Sequence, residues 1–435
     1  MRDDWKQTGK EWSGVSKYNS FNSYKGLLYI DSHYKPISRW WNIEEGAKLP
    51  PPIELSLDPC HVCNFKCKHC NAQRYLVIHP EQVPEDKKLM TKEHLRKLID
   101  FCAKWGVRAV CIGGGGEPLM NKNVWDLPAY IVSKGMKCSF ATNGSLINEE
   151  IAEQMMNCRW VGISVDAGSK EVFNKVHGFE NKNLKKVEEV REIFEKMYGK
   201  GEENKKLFQQ IVNAINKEDE GREEKNLFER VINNIKLLVR KKKETGSKID
   251  IAYKFLIRPD NWQDIFRACE LAKEIGVRDF HARPADLERK DFETAMELNY
   301  NIEEIHKLFE KCHELEDKNF RVFTVMHKYN PEFRIMHTFS NCVSSPLMLQ
   351  ACSDGNVYVC ADHRIEPRFK LANHYPNPEE ILKVWGSEKH REILKSIRVD
   401  EECGRCTYGE YARQIEELGL GIGGGGEDPM CVDFP

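Results

Sequence analysis

Apolar runs bounded by polar turns recur along the first 284 residues, and most are followed by a segment whose apolar positions repeat at helical spacing. The runs predict six strands, namely IELSLDP (53–59), AVCIGGG (109–115), KCSFATNG (137–144), WVGISVD (160–166), KIDIAYKFLI (248–257) and DFHARP (279–284). Helical patterns cover 92–105, 124–134, 148–157, 261–275 and 301–315. Strand–helix alternation predicts parallel pairing with right-handed crossovers. Six such units make either an open doubly wound sheet or a partial barrel, with functional groups at the carboxyl ends of the strands.

The alternation is interrupted at three places, which divide the chain. Residues 1–52 are aromatic-rich and read as irregular, with three prolines at their end. Within 179–230, 25 of 52 residues are charged, and helically spaced apolar residues predict extra amphipathic helices outside the core. From about residue 320, short strand-like runs and cysteines replace the pattern. We therefore expect a core at 53–319 and a smaller, cysteine-rich α+β domain at 320–435.

Composition narrows the possible functions. The formal net charge of −2 argues against a broad nucleic-acid-binding face, so no nucleic-acid partner is expected. The start of the chain has no apolar signal-peptide core, and no apolar run approaches the length of a membrane helix. We therefore expect a cytoplasmic protein with no membrane association. Its 16 cysteines then favour metal or redox ligation over disulfides.

The strongest chemical signal is the run CNFKCKHC. Cys63, Cys67 and Cys70 stand at C-x3-C-x2-C directly after the first predicted strand. Three thiolates on one tight loop can bind three irons of a [4Fe–4S] cube and leave the fourth iron without a protein ligand. Structural zinc is the alternative, although it wants four ligands and usually pairs two C-x2-C knuckles. Cys60 still belongs to the strand end, and we interpret it as a bystander.

The second signal is IGGGGEP at 112–118, at the end of the second strand. Glycines let a ligand approach the backbone, and a carboxylate can accept hydrogen bonds from a ligand ammonium group. The run lacks the Gly-Lys-Ser/Thr of a phosphate-binding loop, so nucleotide triphosphate binding is not expected.

Together these motifs resemble the radical S-adenosylmethionine (radical SAM) superfamily, whose cluster loop has the same cysteine spacing. The resemblance implies a partial (β/α)6 TIM-like barrel, a [4Fe–4S] cluster on Cys63, Cys67 and Cys70, and SAM chelating the open iron. It also implies which residues contact the cofactor. Gly115, Gly116, Glu117 and Pro118 would bind the SAM amino group, and His69 would stack on the adenine. Thr142, Asn143 and Ser164 occupy positions that often touch SAM in the family. Relatives commonly have an arginine where this chain has His177, which leaves the partner of the SAM carboxylate open.

The C-terminal cysteines resemble a second pattern, that of the auxiliary-cluster domain called SPASM or its shorter version, twitch. Cys342 is followed by Gly355 and Cys360 at the spacing of that family, and Cys403 and Cys406 form a C-x2-C pair. The resemblance implies one auxiliary [4Fe–4S] cluster on these four cysteines, because the further cysteines of the full SPASM pattern are missing. Cys352 and Cys431 remain candidate ligands.

The resemblance implies reductive cleavage of SAM to a 5′-deoxyadenosyl radical that abstracts hydrogen from a substrate, with electrons from an external donor such as flavodoxin or ferredoxin. The expected outcome is oxidation, dehydrogenation or epimerisation of a carbohydrate-like or other small polar substrate. One alternative is a peptide-modifying maturase. The alternative from another class is a non-catalytic iron–sulfur electron-transfer or scaffold protein, which would have no use for Glu117.

Overall fold

One ten-stranded sheet organises the molecule. The computed structural model describes residues 29–67, 69–72, 75–76, 80–179, 227–285, 301–324, 339–403, 406 and 408–419. The strand order in the sheet is β10-β9-β8-β1-β2-β3-β4-β5-β6-β7. The bounds are β1 Glu54–Asp58, β2 Ala109–Ile112, β3 Lys137–Thr142, β4 Trp160–Ser164, β5 Asp250–Ile257, β6 Asp279–Pro284, β7 Arg321–Thr324, β8 Met348–Cys352, β9 Asn356–Tyr358 and β10 Lys370–Asn373.

The strands from β8 through β1 to β7 all pair in parallel, whereas β9 and β10 are antiparallel additions at the β8 edge. The predicted α/β class with a parallel sheet is confirmed, and the six predicted strands are β1 to β6. The sheet is not closed into a complete barrel, since β7 and β10 are its ends among the described residues. Parallel order brings the carboxyl ends of neighbouring strands to one edge, where a site can form.

Helices connect and flank the strands. Their bounds are α1 Lys35–Trp41, α2 Lys92–Trp105, α3 Leu127–Ser133, α4 Glu149–Met155, α5 Lys170–His177, α6 Leu227–Thr245, α7 Ile265–Ile275, α8 Ile302–Glu314, α9 Glu388–Lys395, α10 Val399–Glu402 and α11 Gly409–Gly419. Local sequence explains their ends. In α2, Thr91 caps the start by accepting a hydrogen bond from the His94 amide, and Gly106 ends the helix at φ 106°. No described helix is long and apolar enough to cross a membrane.

The N-terminal segment differs from the expected irregular chain. From residue 30 it forms a π-helical turn, Ile30–Tyr34, that leads directly into α1. Tyr34 is fully buried and donates to Gln414 Oε1 at 3.1 Å, and the Trp40 indole donates to the carbonyl of Gly386 at 2.7 Å. The sequence did not predict this helix, because the residues that cover its apolar face come from the distant C-terminal part of the chain.

The C-terminal part is joined to the core through the sheet itself. β8 pairs with β1 over five residue pairs, from Glu54 with Met348 to Asp58 with Cys352. The segment carrying Cys342, which precedes β8, and the turn carrying Cys360, which follows β9, are thereby attached to the core. Most of the charged insertion, residues 180–226, lies outside the described residues, as does Cys431.

Candidate functional site

Three thiols border one cavity at the carboxyl end of β1. Cys63, Cys67 and Cys70 all line it. Burial raises the pKa of Cys63 to about 12 and that of Cys67 well above its usual range, and repulsion between the neighbouring sulfurs adds to both shifts. Close sulfur donors whose protons can be replaced by iron fit a [4Fe–4S] cluster. Cys60 is not among the residues lining the cavity and donates to the carbonyl of Val62 at 3.3 Å.

The glycine-rich turn after β2 packs directly against the cysteine loop. The Glu117 amide donates to the carbonyl of Val62 at 2.9 Å. A Cβ at Gly116 would lie 2.2 Å from that carbonyl oxygen, and one at Gly115 would lie 2.5 Å from the His61 ring. Both separations are far inside van der Waals contact, so only glycine permits this approach. The sequence predicted that Gly115 and Gly116 contact SAM. In the structure, the Cβ positions of Gly115 and Gly116 instead face His61 and the Val62 carbonyl.

The Glu117 carboxylate joins the ends of β2 and β3. It accepts hydrogen bonds from Thr142 Oγ1 at 2.6 Å, the Asn143 amide at 2.8 Å and the Leu119 amide at 3.1 Å. Its side chain lines the cavity, and burial raises its pKa to about 7. A carboxylate has about four acceptor positions. Three are occupied, so one is left for an ammonium group in the cavity.

The other residues predicted to contact SAM also border the cavity, namely Gly116, Pro118, Thr142, Asn143 and Ser164. Asn143 is tied back to the cysteine loop, because its side-chain amide donates to Asn64 Oδ1 at 2.9 Å. Gly115 is not among the lining residues, since it faces His61.

His69 is held by both ring nitrogens. Arg258, which can only donate, lies 3.3 Å from Nδ1, so Nδ1 is the acceptor. Nε2 then carries the proton and donates to Asp166 Oδ2 at 3.2 Å. Burial acts to raise the pKa of Asp166, but the hydrogen bond from His69 holds it below its usual value. Sequence reasoning missed Asp166, although its place two residues after Ser164, at a strand end, was an available signal.

His177 contacts the cluster loop. Its Nε2 donates to the carbonyl of Val165 at 2.9 Å, and its Nδ1 lies 3.0 Å from Cys67 Sγ. Burial lowers the pKa of His177 to about 4. The ring is therefore neutral in this arrangement, and Nδ1 accepts from the thiol. Both nitrogens are used within the protein, at the position where relatives have an arginine.

The C-terminal cysteines border the same cavity. Cys342, Cys360, Cys403 and Cys406 all line it. Burial raises the pKa of Cys342 well above its usual range, and repulsion from the other three sulfurs adds to the shift, so the four lie close together. Cys352 is not among them. It is fully buried at the end of β8, where its sulfur lies 3.7 Å from Asp58 Oδ2.

Both sets of cysteines therefore share one cavity of about 310 Å³. Sequence reasoning predicted two groups of ligands without predicting that they would face a common space. Arg283, at the end of β6, places a cationic side chain on the cavity wall. Lys254 instead lies with its ammonium 4.7 Å from the centre of the Trp160 ring, and burial lowers its pKa to about 8.

Comparison with known proteins agrees with this geometry. The model of the Radical SAM superfamily matches residues 57–224, which include the cysteine loop and the glycine-rich turn. The chain carries a radical SAM domain. Such a domain uses a [4Fe–4S] cluster together with SAM, and the cysteine donors described above fit that use.

Two curated relatives and one solved structure illustrate the likeness. Fe-coproporphyrin III synthase of Methanosarcina barkeri is 37% identical over 118 residues, covering 27% of this chain and 27% of the relative. Mycofactocin maturase MftC of Mycobacterium ulcerans is 31% identical over 132 residues, covering 30% of this chain and 33% of the relative. Streptococcus suis SuiB bound to precursor peptide SuiA aligns with a TM-score of 0.55 at 15% identity, over 90% of this chain and 76% of SuiB. The chain thus matches a third or less of both curated relatives, and the SuiB likeness shows the fold.

Proposed function

We propose that this radical SAM enzyme cleaves SAM reductively at a [4Fe–4S] cluster held by Cys63, Cys67 and Cys70, and that the resulting 5′-deoxyadenosyl radical abstracts hydrogen from a substrate. The observation that carries the proposal is that these three thiols and the buried Glu117 carboxylate line the same cavity. An electron-transfer scaffold needs cluster ligands but has no need for an acceptor placed beside them.

The residues around the cavity would bind and orient the cofactors. Glu117, kept in place by Thr142 and the Asn143 amide, would accept a hydrogen bond from the SAM amino group. Gly116 and Pro118 would border that group, Ser164 would border the nucleoside, and the face of His69 would pack against the adenine.

We assign the second group, Cys342, Cys360, Cys403 and Cys406, to one auxiliary [4Fe–4S] cluster in a domain covering residues 320–435. Its ligands border the cavity that also holds the first group, which supports a direct part in the reaction. Hydrogen abstraction leaves a substrate radical, and a nearby cluster can accept the second electron of a net oxidation. We therefore favour a dehydrogenation or other two-electron oxidation, with an external flavodoxin- or ferredoxin-like donor reducing the first cluster.

Two classes of substrate are compatible with the cavity. A small polar substrate, carbohydrate-like or otherwise, would fit the confined cavity and the Arg283 guanidinium on its wall. The fold shared with SuiB, solved with its precursor peptide, equally supports a peptide whose side chain enters the cavity. Deuterium transfer into 5′-deoxyadenosine from labelled members of each class would distinguish them.

The decisive experiment is anaerobic reconstitution with iron and sulfide, followed by SAM and dithionite. The wild type should form 5′-deoxyadenosine, and single Cys63→Ala, Cys67→Ala and Cys70→Ala variants should form none. Cys60→Ala is the matched control, because it removes a buried thiol on the same segment that does not border the cavity. Product formation by any of the three ligand variants would refute the proposal.

A further inference from the structure

A second group of metal-binding side chains lies beneath the cysteine loop. Asp58, His61 and Cys352 each offer one ligand atom, and these atoms lie within 4.8 Å of one another. All three side chains are buried. Their proximity follows from the sheet, because Asp58 and Cys352 are paired residues at the ends of β1 and β8. The sequence made Cys352 a candidate cluster ligand, but it does not line the cavity that holds the other cysteines.

The surroundings leave polar atoms without partners. Among the described residues, eight buried side-chain nitrogen or oxygen atoms have no hydrogen-bond partner. One of them, His61 Nε2, belongs to this group, and two more, Tyr75 Oη and Gln350 Oε1, lie on residues beside it. The Tyr75 ring packs edge-on against His61, and the amide of Gln350 lies 3.6 Å from Cys352 Sγ. Buried polar atoms are nearly always satisfied in native proteins, so such a concentration indicates a bound species.

The charges indicate the sign of that species. The charges acting on Cys352 come from Asp58, Asp354 and Arg364, which are two carboxylates and one guanidinium. With Cys352 as a thiol and His61 neutral, the side chains of Asp58, Asp354 and Arg364 carry one net negative charge. A divalent cation that replaces the thiol proton would bring the sum to zero, since the thiolate adds one negative charge and the cation two positive ones. Burial of unpaired charge is costly, so a cation is favoured.

We propose that Asp58, His61 and Cys352 bind a zinc ion. Mixed thiolate, imidazole and carboxylate donors are typical of zinc, and a fourth oxygen donor from water or Tyr75 would complete a tetrahedron. Tetrahedral ligands lie about 3.3–3.8 Å apart, so the side chains would need to close by roughly 1 Å. This site is independent of the SAM chemistry and would fasten β1 to β8 just before Cys63.

Neighbouring groups already orient the ligands. Ser353 Oγ lies 2.6 Å from His61 Nδ1 and can accept a hydrogen bond from it, an arrangement that would leave the Nε2 lone pair for a metal. Arg364 donates to Asp58 Oδ2 at 2.6 Å and leaves Oδ1 available. Gly114 and Gly115 keep the ligand atoms free of neighbouring side chains. A Cβ at Gly114 would lie 3.0 Å from Asp58 Oδ1, and a Cβ at Gly115 would lie 2.7 Å from His61 Nε2.

The test uses the cluster-loaded holoenzyme, so that the predicted cluster cysteines are occupied. After anaerobic incubation with Zn2+ and dialysis, mass spectrometry should find about one zinc per chain in the wild type and less than a tenth of that in Cys352→Ser, with iron unchanged. Cys138→Ser is the control, because it also replaces a buried strand cysteine and should retain zinc. Cobalt in place of zinc should give a thiolate charge-transfer band that Cys352→Ser lacks.

A second variant keeps the proposal testable if Cys352→Ser does not fold. Ser353→Ala removes only the bond that orients His61, and it should weaken zinc affinity roughly 10- to 100-fold in chelator competition. A wild-type holoenzyme that retains no zinc would overturn the proposal. So would zinc retained equally by wild type, Cys352→Ser and Ser353→Ala, because that would be an adventitious ion.

Discussion

The carboxylate of Glu117 has a structural role and a position suited to ligand binding. It accepts from the Thr142 hydroxyl and two backbone amides, which fastens the turn after β2 to the end of β3. It also borders the cavity with its remaining acceptor capacity. A substitution at this position must therefore change both the free energy of unfolding and the affinity for a ligand ammonium group, and only a comparison of variants separates them.

Glu117→Ala and Glu117→Gln provide that comparison. Charge-assisted hydrogen bonds contribute about 1.5–3 kcal/mol each, so both variants should bind SAM at least about tenfold more weakly. Alanine leaves three buried donors unpaired and should also lower the free energy of unfolding by about 3 kcal/mol or more, whereas glutamine, close in shape, should lower it less. Calorimetric titration of SAM and urea unfolding measure the two effects. A SAM dissociation constant unchanged in Glu117→Gln would mean that the carboxylate has only a structural purpose.

At the residue scale, the sequence predicted which side chains belong to the site better than it predicted which residues they contact. Cys63, Cys67, Cys70 and Glu117 carry recognisable spacing, and the structure brings all four to one cavity. The hydrogen bond from His69 to Asp166 joins residues 97 positions apart, and no local pattern encodes it. Cys352 looked like a possible cluster ligand because it belongs to the C-terminal cysteines. Strand direction, which only the fold specifies, turns it toward Asp58 instead.

At the scale of elements, the turn after β2 supports the cysteine loop through backbone contact. Gly116→Ala would place a methyl group 2.2 Å from the carbonyl oxygen of Val62, and that oxygen already accepts from the Glu117 amide. The loop carrying Cys63 would have to move. Overpacking costs about 1–3 kcal/mol, and the displaced thiol should lower cluster incorporation as well. We expect a lower melting temperature and less iron per chain after reconstitution.

Gly113→Ala is the control for Gly116→Ala. A Cβ at Gly113 would meet only the Ala141 methyl group, at an ordinary 3.6 Å. This variant lies in the same turn and makes the same chemical change, so it should keep its iron content and melting temperature close to wild type. Equal behaviour of the two variants would show that close packing on Val62 does not position the cluster loop.

The elements themselves were predictable where their burial is regular. Apolar residues dominate strands β2, β4 and β5 because other parts of the chain cover both faces of the sheet there, and that pattern is visible in sequence. α1 was not predicted, since its buried residues Ile37 and Trp40 pack on parts of the chain more than 300 positions away. β7 was predicted only as one of the short strand-like runs after residue 320, and β8 lies beyond the strand–helix alternation, so no local pattern specifies that it pairs with β1.

At the scale of the whole molecule, the pairing of β8 with β1 determines how the two groups of cysteines meet. β1 leads into Cys63, whereas Cys342 precedes β8 and Cys360 follows the antiparallel strand β9, so the pairing of β8 with β1 attaches the second group to the part of the sheet that carries the first. The N-terminal helix reinforces this join, since Tyr34 and Trp40 hydrogen-bond to Gln414 and Gly386. A chain that binds clusters in both groups should then have one cooperative unit around them rather than two separable domains.

Iron content tests that arrangement. One cube on each group gives about eight irons per chain. Because Cys403 and Cys406 supply two of the four thiols in the second group, a Cys403→Ala/Cys406→Ala double variant should lose about half of the iron and sulfide. The electron paramagnetic resonance spectrum of the SAM-binding cluster should survive. Cys269→Ala/Cys312→Ala is the matched control, since it removes two buried thiols between α7 and α8 that do not border the cavity, and it should keep all of its iron. About twelve irons in the wild type would instead require a third cluster, with Cys431 and non-cysteine ligands recruited, and would contradict a single auxiliary cluster while leaving the radical SAM domain in place.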